Sequence, residues 1–568
     1  MPVQYPPQLE ADRLPRGALP DIRFTRPELQ YPDTLNVADH LLERNLAPAH
    51  AGRTAFFCGE RAISYAQLNE SVNRLGSALR SLDIGAGDRV VLRLPNSIEF
   101  AVCALALHRL GAVVVPTNVL LREPIVTHIV NRTAAKAIIV HQEFLDAVER
   151  GRAAQPALQW RIVAGGETRR PAGAACLCYE QLLESGSASL VSAPVPRDAL
   201  AAIFFTSGTS GLPKGCMHLA GTLLAGAHAG LNMYDAIRPD DVVSGTPPLA
   251  FTFGYGHVLL LPLAAGVPGV FIEGRATPQN VFRTIERRRV TLFHSVPSAY
   301  IQMLGAVADA DRHDLTSLRA TLAAGAPTPP TVFRAWQERF GTPIANAMGS
   351  SESFVSIFSR WLADPPPGAM GLPLPGWEVR VLDEDGQDAA RGAIGRLAVR
   401  GPAGTLYWRD PAKQAEAVIE GWSLTGDLVR QDDEGCFWHE CRNDDVIKSR
   451  GYRISPGEVE DALLAHAAVL EPAVIGAPDA VYGQRVKAFV TLRSGYQPSD
   501  ALVEELRNFA RERLAPYQVP AEIEFIDAMP KTETGKILRR ELRERERART
   551  GGVAHELAYE PAVAAGES

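Results

Sequence analysis

The residues from Thr206 to Gly215 read Thr-Ser-Gly-Thr-Ser-Gly-Leu-Pro-Lys-Gly and follow directly on the apolar run Ala201 to Phe205. This is the composition of an anion-binding loop. Gly208 and Gly211 have no Cβ, so backbone amides there can approach phosphate oxygens closely. The hydroxyls of Thr206, Ser207, Thr209 and Ser210 add donors, and Lys214 adds a charge. The pattern is not that of a Walker A loop, because counting on from Gly208 puts Pro213 where the second glycine belongs.

Four further groups of residues bear chemistry in chain order. Asn346-Ala-Met-Gly-Ser-Ser-Glu352 sets two hydroxyls and a carboxylate after a glycine. Glu352 suits a hard cation such as Mg²⁺ and Ser351 a phosphate; taken alone, the stretch also reads as a polar turn. Trp422-Ser-Leu-Thr-Gly-Asp427 puts a carboxylate at a tight turn, suited to a pair of ribose hydroxyls or simply to a turn. Arg442-Asn-Asp-Asp-Val-Ile-Lys-Ser-Arg-Gly-Tyr-Arg-Ile454 packs charge around Gly451 where the composition shifts. Pro530-Lys-Thr-Glu-Thr-Gly-Lys536 ends on a lysine after a glycine turn, which taken alone is a solvated lysine. Cys436, His439 and Cys441 offer a fifth group, but no fourth ligand accompanies them.

The elements that must carry these loops are legible from periodicity. Ser64-Tyr-Ala-Gln67 is a capping box that opens a helix with apolar positions at Leu68, Val72, Leu75 and Leu79. Val90–Leu94 predicts a strand, followed by a helix to about Leu110 that Gly111 ends, then a strand at Val113–Val115. Strand–helix–strand order at this spacing predicts a parallel, doubly wound sheet. It recurs at Ala137–Val140, Ala201–Phe205, Val270–Ile272 and Leu292–His294. After about residue 370 short β-like runs with glycine turns predict a β-rich subdomain. A small α+β unit follows, with a strand at Val486–Leu492 and an amphipathic helix capped by Ser499 or Asp500. The expected organisation is an arm over 1–35, a large α/β domain over 36–441, a smaller α+β domain over 442–548 and a disordered tail over 549–568.

With 568 residues the chain is long enough for two or three domains, and a net charge of −7 gives no nucleic-acid surface. Arg539–Arg549 alternates in sign and reads as a solvated helix. Seven scattered cysteines argue against a disulfide framework. No signal peptide or membrane span is expected, so a cytoplasmic protein follows.

Taken in order, the motifs resemble those of the adenylate-forming acyl-CoA synthetase superfamily, from about Asn36 to Arg540. Pro247-Pro-Leu-Ala-Phe-Thr-Phe-Gly254 and Met348-Gly-Ser-Ser-Glu352 resemble in particular the benzoate and 2-aminobenzoate CoA ligase branch. The resemblance implies ATP, Mg²⁺ and coenzyme A as cofactors and co-substrates, and a monomer or homodimer. It implies phosphate binding by Thr206, Ser207, Gly208, Thr209, Ser210, Gly211 and Lys214. Gly325, Ala326 and Pro327, with Ala347, Met348 and Gly349, match the adenine-facing positions. Ser351 and Glu352 match the phosphate and Mg²⁺ positions, Asp427 and Arg442 the ribose clamp, Asp444 the hinge. Gly451, with Tyr452 and Arg453 beside it, matches the coenzyme A passage, and Lys536 the adenylation lysine. The chain departs from the family pattern at Met348, where an aromatic residue is usual, at Ser351, where threonine is usual, and at Cys441, where glycine is common.

The expected acid is a small aryl carboxylate. Phe251, Thr252, Phe253, Tyr255, Ser353, Phe354 and Val355 form a candidate wall that is aromatic and short of charge, with Val355 where benzoate-type ligases usually carry histidine. Medium-chain fatty acids and an acyl-AMP ligase loading a carrier protein are the alternatives. An amino-acid-activating module is disfavoured because the Phe251–Gly256 window has no acid to bind an ammonium group. An inactive scaffold is disfavoured by the intact set of nucleotide residues.

Overall fold

The computed structural model describes residues 17–165, 176–206, 212–233, 237–354, 356–360, 366, 368–449, 452–479, 483–532 and 537–549. It divides into two compact units, one ending at Asn443 and the other beginning at Asp444.

The first unit is built on two large sheets with helices packed against them. One has the strand order Lys214–Leu219, Leu200–Thr206, Val113–Pro116, Arg89–Arg93, Ala137–His141, Trp160–Ala164, Cys176–Cys178. All neighbours are parallel except the first pair, which forms a hairpin. The second sheet runs Leu372–Pro373, Ser356–Arg360, Ile344–Gly349, Ala320–Ala324, Leu292–Ser295, Val243–Gly245, Gly269–Phe271, Thr54–Cys58, Arg61–Ser64. Its six middle strands are parallel. Parallel strands need crossovers, and burial on both faces explains their near-continuous apolar sequences. Val90, Val91 and Leu92 are all fully buried.

The local signals act as read. Ser64 Oγ accepts from Gln67 N at 3.2 Å and Gln67 Oε1 from Ser64 N at 3.0 Å, opening the helix Tyr65–Ser81. Leu68, Val72, Leu75 and Leu79 form its buried stripe. Gly111 adopts φ 69° just past the helix Ile98–Arg109, a conformation that costs a residue with a Cβ. The segment before Asn36 does more than drape the surface. Leu29 and Tyr31 are part of the core, and Thr34–Leu35 pairs with Val195–Pro196. An antiparallel sheet of Glu378–Leu382, Gly395–Arg400, Trp422–Gln431, Phe437–Arg442 and Val418–Ile419 completes the unit.

The second unit has a sheet ordered Tyr452–Ile454, Ile447–Ser449, Gly483–Leu492, Val469–Asp479, with Glu522–Phe525 added in parallel to Gly483–Leu492. Ser499, not Asp500, caps the helix Asp500–Arg511. The expected solvated helix is present at Arg539–Arg549, but one face is not solvated. Leu542 and Glu546 are buried, because Glu546 belongs to a charge cluster centred on Lys487. Lys487 Nζ lies 2.8 Å from Glu522, 2.7 Å from Glu524 and 2.6 Å from Glu546. These three carboxylates would suit a cation, and the ammonium group takes that place. Burial works against the Lys487 charge, yet the three acids hold its pKa above the usual value. Hydrogen bonding to Arg549 outweighs burial and holds Glu546 down at about 2.

Removing one partner of a buried ion cluster leaves the others uncompensated. Lys487→Met is therefore expected to destabilise the second unit by about 3–5 kcal/mol. A urea unfolding curve checks this; an unchanged midpoint would show that water already screens the cluster.

Candidate active site

The parallel strands of the nine-stranded sheet deliver their loops to one edge, their carboxyl ends, where open α/β sheets bind ligands. Ala324 pairs with Ala347 across adjacent strands, so the loops that follow leave side by side. Gly325 turns with φ 92°, which only glycine adopts freely. Thr328 Oγ1 donates to Asn346 Oδ1 at 3.1 Å and ties the Gly325–Pro327 loop to the neighbouring strand. Ala324, Ala345 and Ala347 keep this face shallow, and Met348 packs partly buried against the core.

The turn after Gly349 is locked by its own serines. Ser350 N donates to Ser353 Oγ at 3.0 Å and Ser353 N to Ser350 Oγ at 3.2 Å. Glu352 lies within this turn, and its Oε1 accepts from the Tyr407 hydroxyl at 2.9 Å. Tyr407 is held there by the hairpin of the other large sheet. Met217 N donates to Leu406 O and Trp408 N to Gly215 O, both at 2.8 Å, so residues 406–408 line the edge of Lys214–Leu219. Gly215 is required for that fit, since a Cβ would stand 2.8 Å from Ile203 and 3.2 Å from Trp408.

Thr206 pairs with Lys214 across the base of the same hairpin. Cys216, beneath them, senses all three groups. Burial pushes its thiol pKa well up, Glu352 adds to the rise, and Thr206 and Lys214 oppose it. Burial and the Glu352 charge likewise raise the Tyr407 hydroxyl. The structure thus brings together Thr206, Lys214 and Glu352. Tyr407, which carries no motif, was not legible in the sequence.

Asp427 and Arg442 pair across two antiparallel strands. Arg442 Nη1 donates to Asp427 Oδ1 at 3.2 Å and to Thr425 O at 2.8 Å. His439 Nε2 lies 3.2 Å from the same carboxylate oxygen. Asp427 is only 5 % exposed. Burial raises its pKa, but His439 and Arg442 outweigh burial and hold it at about 2. It is therefore a carboxylate at neutral pH. His439 turns to Asp427, while Cys436 and Cys441 are buried outside any disulfide. Asp444 is exposed in a short 3-10 turn, Asn443–Asp445. Tyr452 is half exposed and stacks on Tyr517 with centroids 4.0 Å apart.

Phe251 precedes a short helix, Thr252–Gly254, that continues as a π-helix over Tyr255–Leu260. Such π segments are uncommon and frequent at functional sites. Phe253 is partly exposed and meets His257 edge-on at 5.1 Å; His257 in turn meets His294 at 5.2 Å. Burial pushes His257 down to about 4 and His294 well down, so both rings are neutral, and His257 Nδ1 has no partner among the described residues. Neither histidine was picked out by sequence, where each is one apolar-flanked histidine among thirteen. Tyr255 is a core residue rather than an open wall. It is fully buried, its hydroxyl lies 2.7 Å from His108 Nε2, and its ring packs on Phe100, Phe204 and Phe354. Phe354 also packs on His218, whose pKa burial lowers to about 3. Its backbone has φ 69°, a genuine outlier for a bulky residue. The expected site residues Ser207, Gly208, Thr209, Ser210, Gly211, Val355, Gly451 and Lys536 lie outside the described residues, as does the side chain of Arg453.

Comparison with known proteins is consistent over most of the chain. Residues 42–407 match the family model of AMP-binding enzymes, and residues 458–536 match the C-terminal domain of AMP-binding enzymes. A benzoate–CoA ligase of Thauera aromatica is 36 % identical over 522 residues, covering 91 % of this chain and 98 % of that protein. The crystal structure of an anthranilate CoA ligase in complex with anthranoyl-AMP superposes with a TM-score of 0.88 at 33 % identity, covering 92 % of this chain and all of that one. A benzoate CoA ligase from Burkholderia xenovorans LB400 superposes with a TM-score of 0.81 at 30 % identity, covering 90 % and 100 %.

The Phe354 backbone gives a direct stability test. Truncation empties its place among Phe204, His218 and Tyr255. Both Phe354→Ala and Phe354→Gly should therefore lower Tm. Because any Cβ is penalised by about 1–2 kcal/mol in the left-handed region, the glycine variant should be the more stable of the two, reversing the usual order. An alanine variant with the higher Tm would show that the strain is absent.

Proposed function

The chain belongs to the AMP-binding enzyme family, and we propose that it ligates a small aromatic carboxylic acid, benzoate-like with an amino or hydroxy substituent allowed, to coenzyme A through an acyl-adenylate. The observation that carries this reading is the meeting of Glu352 with the Thr206–Lys214 hairpin base around Cys216, on the loop edge that also carries Gly325 and Met348. A carboxylate and a phosphate loop then face one nucleotide.

A carboxylic acid is unreactive towards a thiol because its oxygen is a poor leaving group. Transfer to phosphorus solves this. The carboxylate oxygen attacks the α-phosphorus of ATP, the bond to the bridging oxygen breaks, and pyrophosphate leaves. The protein's part is alignment and charge neutralisation. Lys214 and the loop amides hold the β- and γ-phosphates. Asp427, ionised at neutral pH and steadied by Arg442 and His439, takes the ribose hydroxyls. Ala326, Pro327, Ala347 and Met348 flank the adenine, and Ser351 bonds a phosphate oxygen.

Glu352 fits a Mg²⁺ ion. Tyr407 occupies one carboxylate oxygen and leaves the other for a hard cation, which typically draws its remaining ligands from water and substrate phosphates. Such an ion supplies charge neutralisation at the leaving pyrophosphate. Lys536 bridges the carboxylate and the α-phosphate. In the second step the coenzyme A thiol loses its proton and attacks the carbonyl carbon. The carbon–oxygen bond to phosphate breaks and AMP leaves. Rotation about Asp444 exchanges Lys536 for Gly451, with Tyr452 and Arg453 beside the entering thiol.

Every residue in this reading lies in one chain, so a monomer or a homodimer of complete sites serves. Among the described residues no helix is long and apolar enough to cross a membrane. Free cysteines and the need for ATP and coenzyme A support a cytoplasmic place.

Lys536→Ala should lower acid-dependent ATP–pyrophosphate exchange by roughly 10²–10³, while thioester formation from supplied acyl-adenylate survives. Gly451→Leu should do the reverse. Equal losses in both half-reactions for either variant would remove this division of labour.

The acid assignment rests on Phe251 and Phe253, the partly exposed rings of the candidate wall, which offer ring faces rather than a tunnel for a chain. Aryl acids, 2-aminobenzoate and 2-hydroxybenzoate included, are expected to exceed hexanoate and octanoate in kcat/KM. A clear preference for octanoate would overturn the aryl reading and leave the adenylate chemistry standing.

A further inference from the structure

Gln414 is fully buried, although its side chain is a primary amide with two donors and a carbonyl acceptor. It stands in the helix Pro411–Ala417, which Asp410 caps by accepting from Lys413 N at 3.2 Å. Burying an amide is costly unless its polar atoms are paired. Here both of its polar atoms are. Gln414 Oε1 accepts from Tyr407 N at 2.8 Å. Gln414 Nε2 donates to Thr405 O at 2.8 Å and to Ala18 O at 2.9 Å. An ionised glutamate has no donor, and methionine or leucine has neither donor nor strong acceptor, so none of them can make this set of bonds.

Two of the partners bracket Tyr407. Along an extended chain, the amide and carbonyl groups of alternate residues point to opposite edges. Leu406 O and Trp408 N are taken by the hairpin strand Lys214–Leu219, through Met217 N and Gly215 O, both at 2.8 Å. Thr405 O and Tyr407 N are taken by the Gln414 amide, which stands where a further strand would otherwise pair. The Tyr407 backbone is thereby held from both edges, and its hydroxyl meets Glu352 Oε1 at 2.9 Å.

The third partner brings in the amino-terminal segment. Asp21 N donates to Gly421 O and Arg23 N to Gly401 O, both at 2.8 Å. Pro20 sits against Gly404, where an added Cβ would lie 2.4 Å from the Pro20 ring. Ile22 shares a buried cluster with Leu406 and Trp408. Residues 18–23 are thus seated beside the segment that carries Tyr407.

We propose that Gln414 is a positioning residue for the adenylation step. It fixes Tyr407, through Tyr407 the Glu352 carboxylate, and it ties the segment Ala18–Arg23 into the same chain of contacts. The proposal rests on the ligase reading above, in which Glu352 holds the cation that neutralises the leaving pyrophosphate. Small displacements of a charge-stabilising group are costly there, since misplacement by about 1 Å can lower a rate by about 10².

The test is acid-dependent ATP–pyrophosphate exchange by the full chain, in Tyr407→Phe, Gln414→Met and the double variant. Each single variant should slow exchange at saturating ATP about tenfold, the size of one lost hydrogen bond to a charged group. KM for the acid should be unchanged, because the candidate acid wall lies on another segment. The double variant should be no slower than the slower single one, since residues that act as a unit are not additive. Losses that multiply to about a hundredfold would show independent effects and overturn the proposal. An unchanged rate in Gln414→Met would do the same. Gln414→Glu gives a second reading should the methionine variant fail to fold. Burial raises the pKa of such a carboxyl, so it is neutral at low pH, with an acceptor and one donor. Ionised, it faces two carbonyl oxygens with no donor. Its exchange rate relative to wild type should therefore fall as pH rises, and a constant ratio would overturn the proposal. Absence of exchange in wild type would remove the ligase reading and this proposal with it. Multiplicative losses in an active wild-type background would remove this proposal alone.

Discussion

One hydrogen bond, from the Tyr407 hydroxyl to Glu352 Oε1 at 2.9 Å, ties the two large sheets together where the candidate chemistry lies. Glu352 stands on a serine-locked turn after a strand of the nine-stranded sheet. Tyr407 stands on a segment that edges the hairpin of the seven-stranded sheet. A carboxylate on a loop has many rotamers. Holding one of its oxygens by a buried hydroxyl leaves the other in a defined place, the condition for charge to be neutralised without reorganisation. Gly215 and the Thr206–Lys214 pair depend on the same contact, since they form the surface against which residues 406–408 pack.

Elsewhere buried charge is kept ionised by partners rather than by water. Asp427 has lost nearly all exposure, yet one histidine and one arginine keep it anionic, so at neutral pH it can accept hydrogen bonds from hydroxyl donors. Lys487 is kept cationic by three glutamates in a cluster that is structural. The difference lies in geometry. Every Lys487 partner is already paired inside the fold, whereas Arg442 remains partly exposed beside Asp427. The structural cluster and the proposed ribose contact thus draw on the same electrostatics, and access to solvent divides them.

Much of the fold was legible. The capping box at Ser64, the glycine at 111 and the strands near Val90, Val113, Ala137, Ala201, Val270 and Leu292 all stand within a residue or two of where periodicity places them. The helix at Arg539–Arg549 was legible as a helix and misread as wholly solvated, because its sign alternation says nothing of a partner lysine on a distant strand. Tyr255 was read as pocket wall and is core, its hydroxyl taken by His108. Tyr407, His257 and His294 left no local mark. Each is a lone aromatic residue in an ordinary context, and only the surfaces it meets distinguish it.

By itself the sequence determined what is short-range: residue chemistry, glycine at turns, caps, periodicity, and the order of motifs by which the family can be recognised. Local backbone preferences act within a few residues and need no knowledge of the rest. The tertiary structure alone decided which of those groups meet. Asp427 faces Arg442 through strand register, and a one-residue slip would turn its side chain to the other face. Glu352 faces Tyr407 through the meeting of two sheets. Such contacts join segments far apart in the chain, where no local pattern records them.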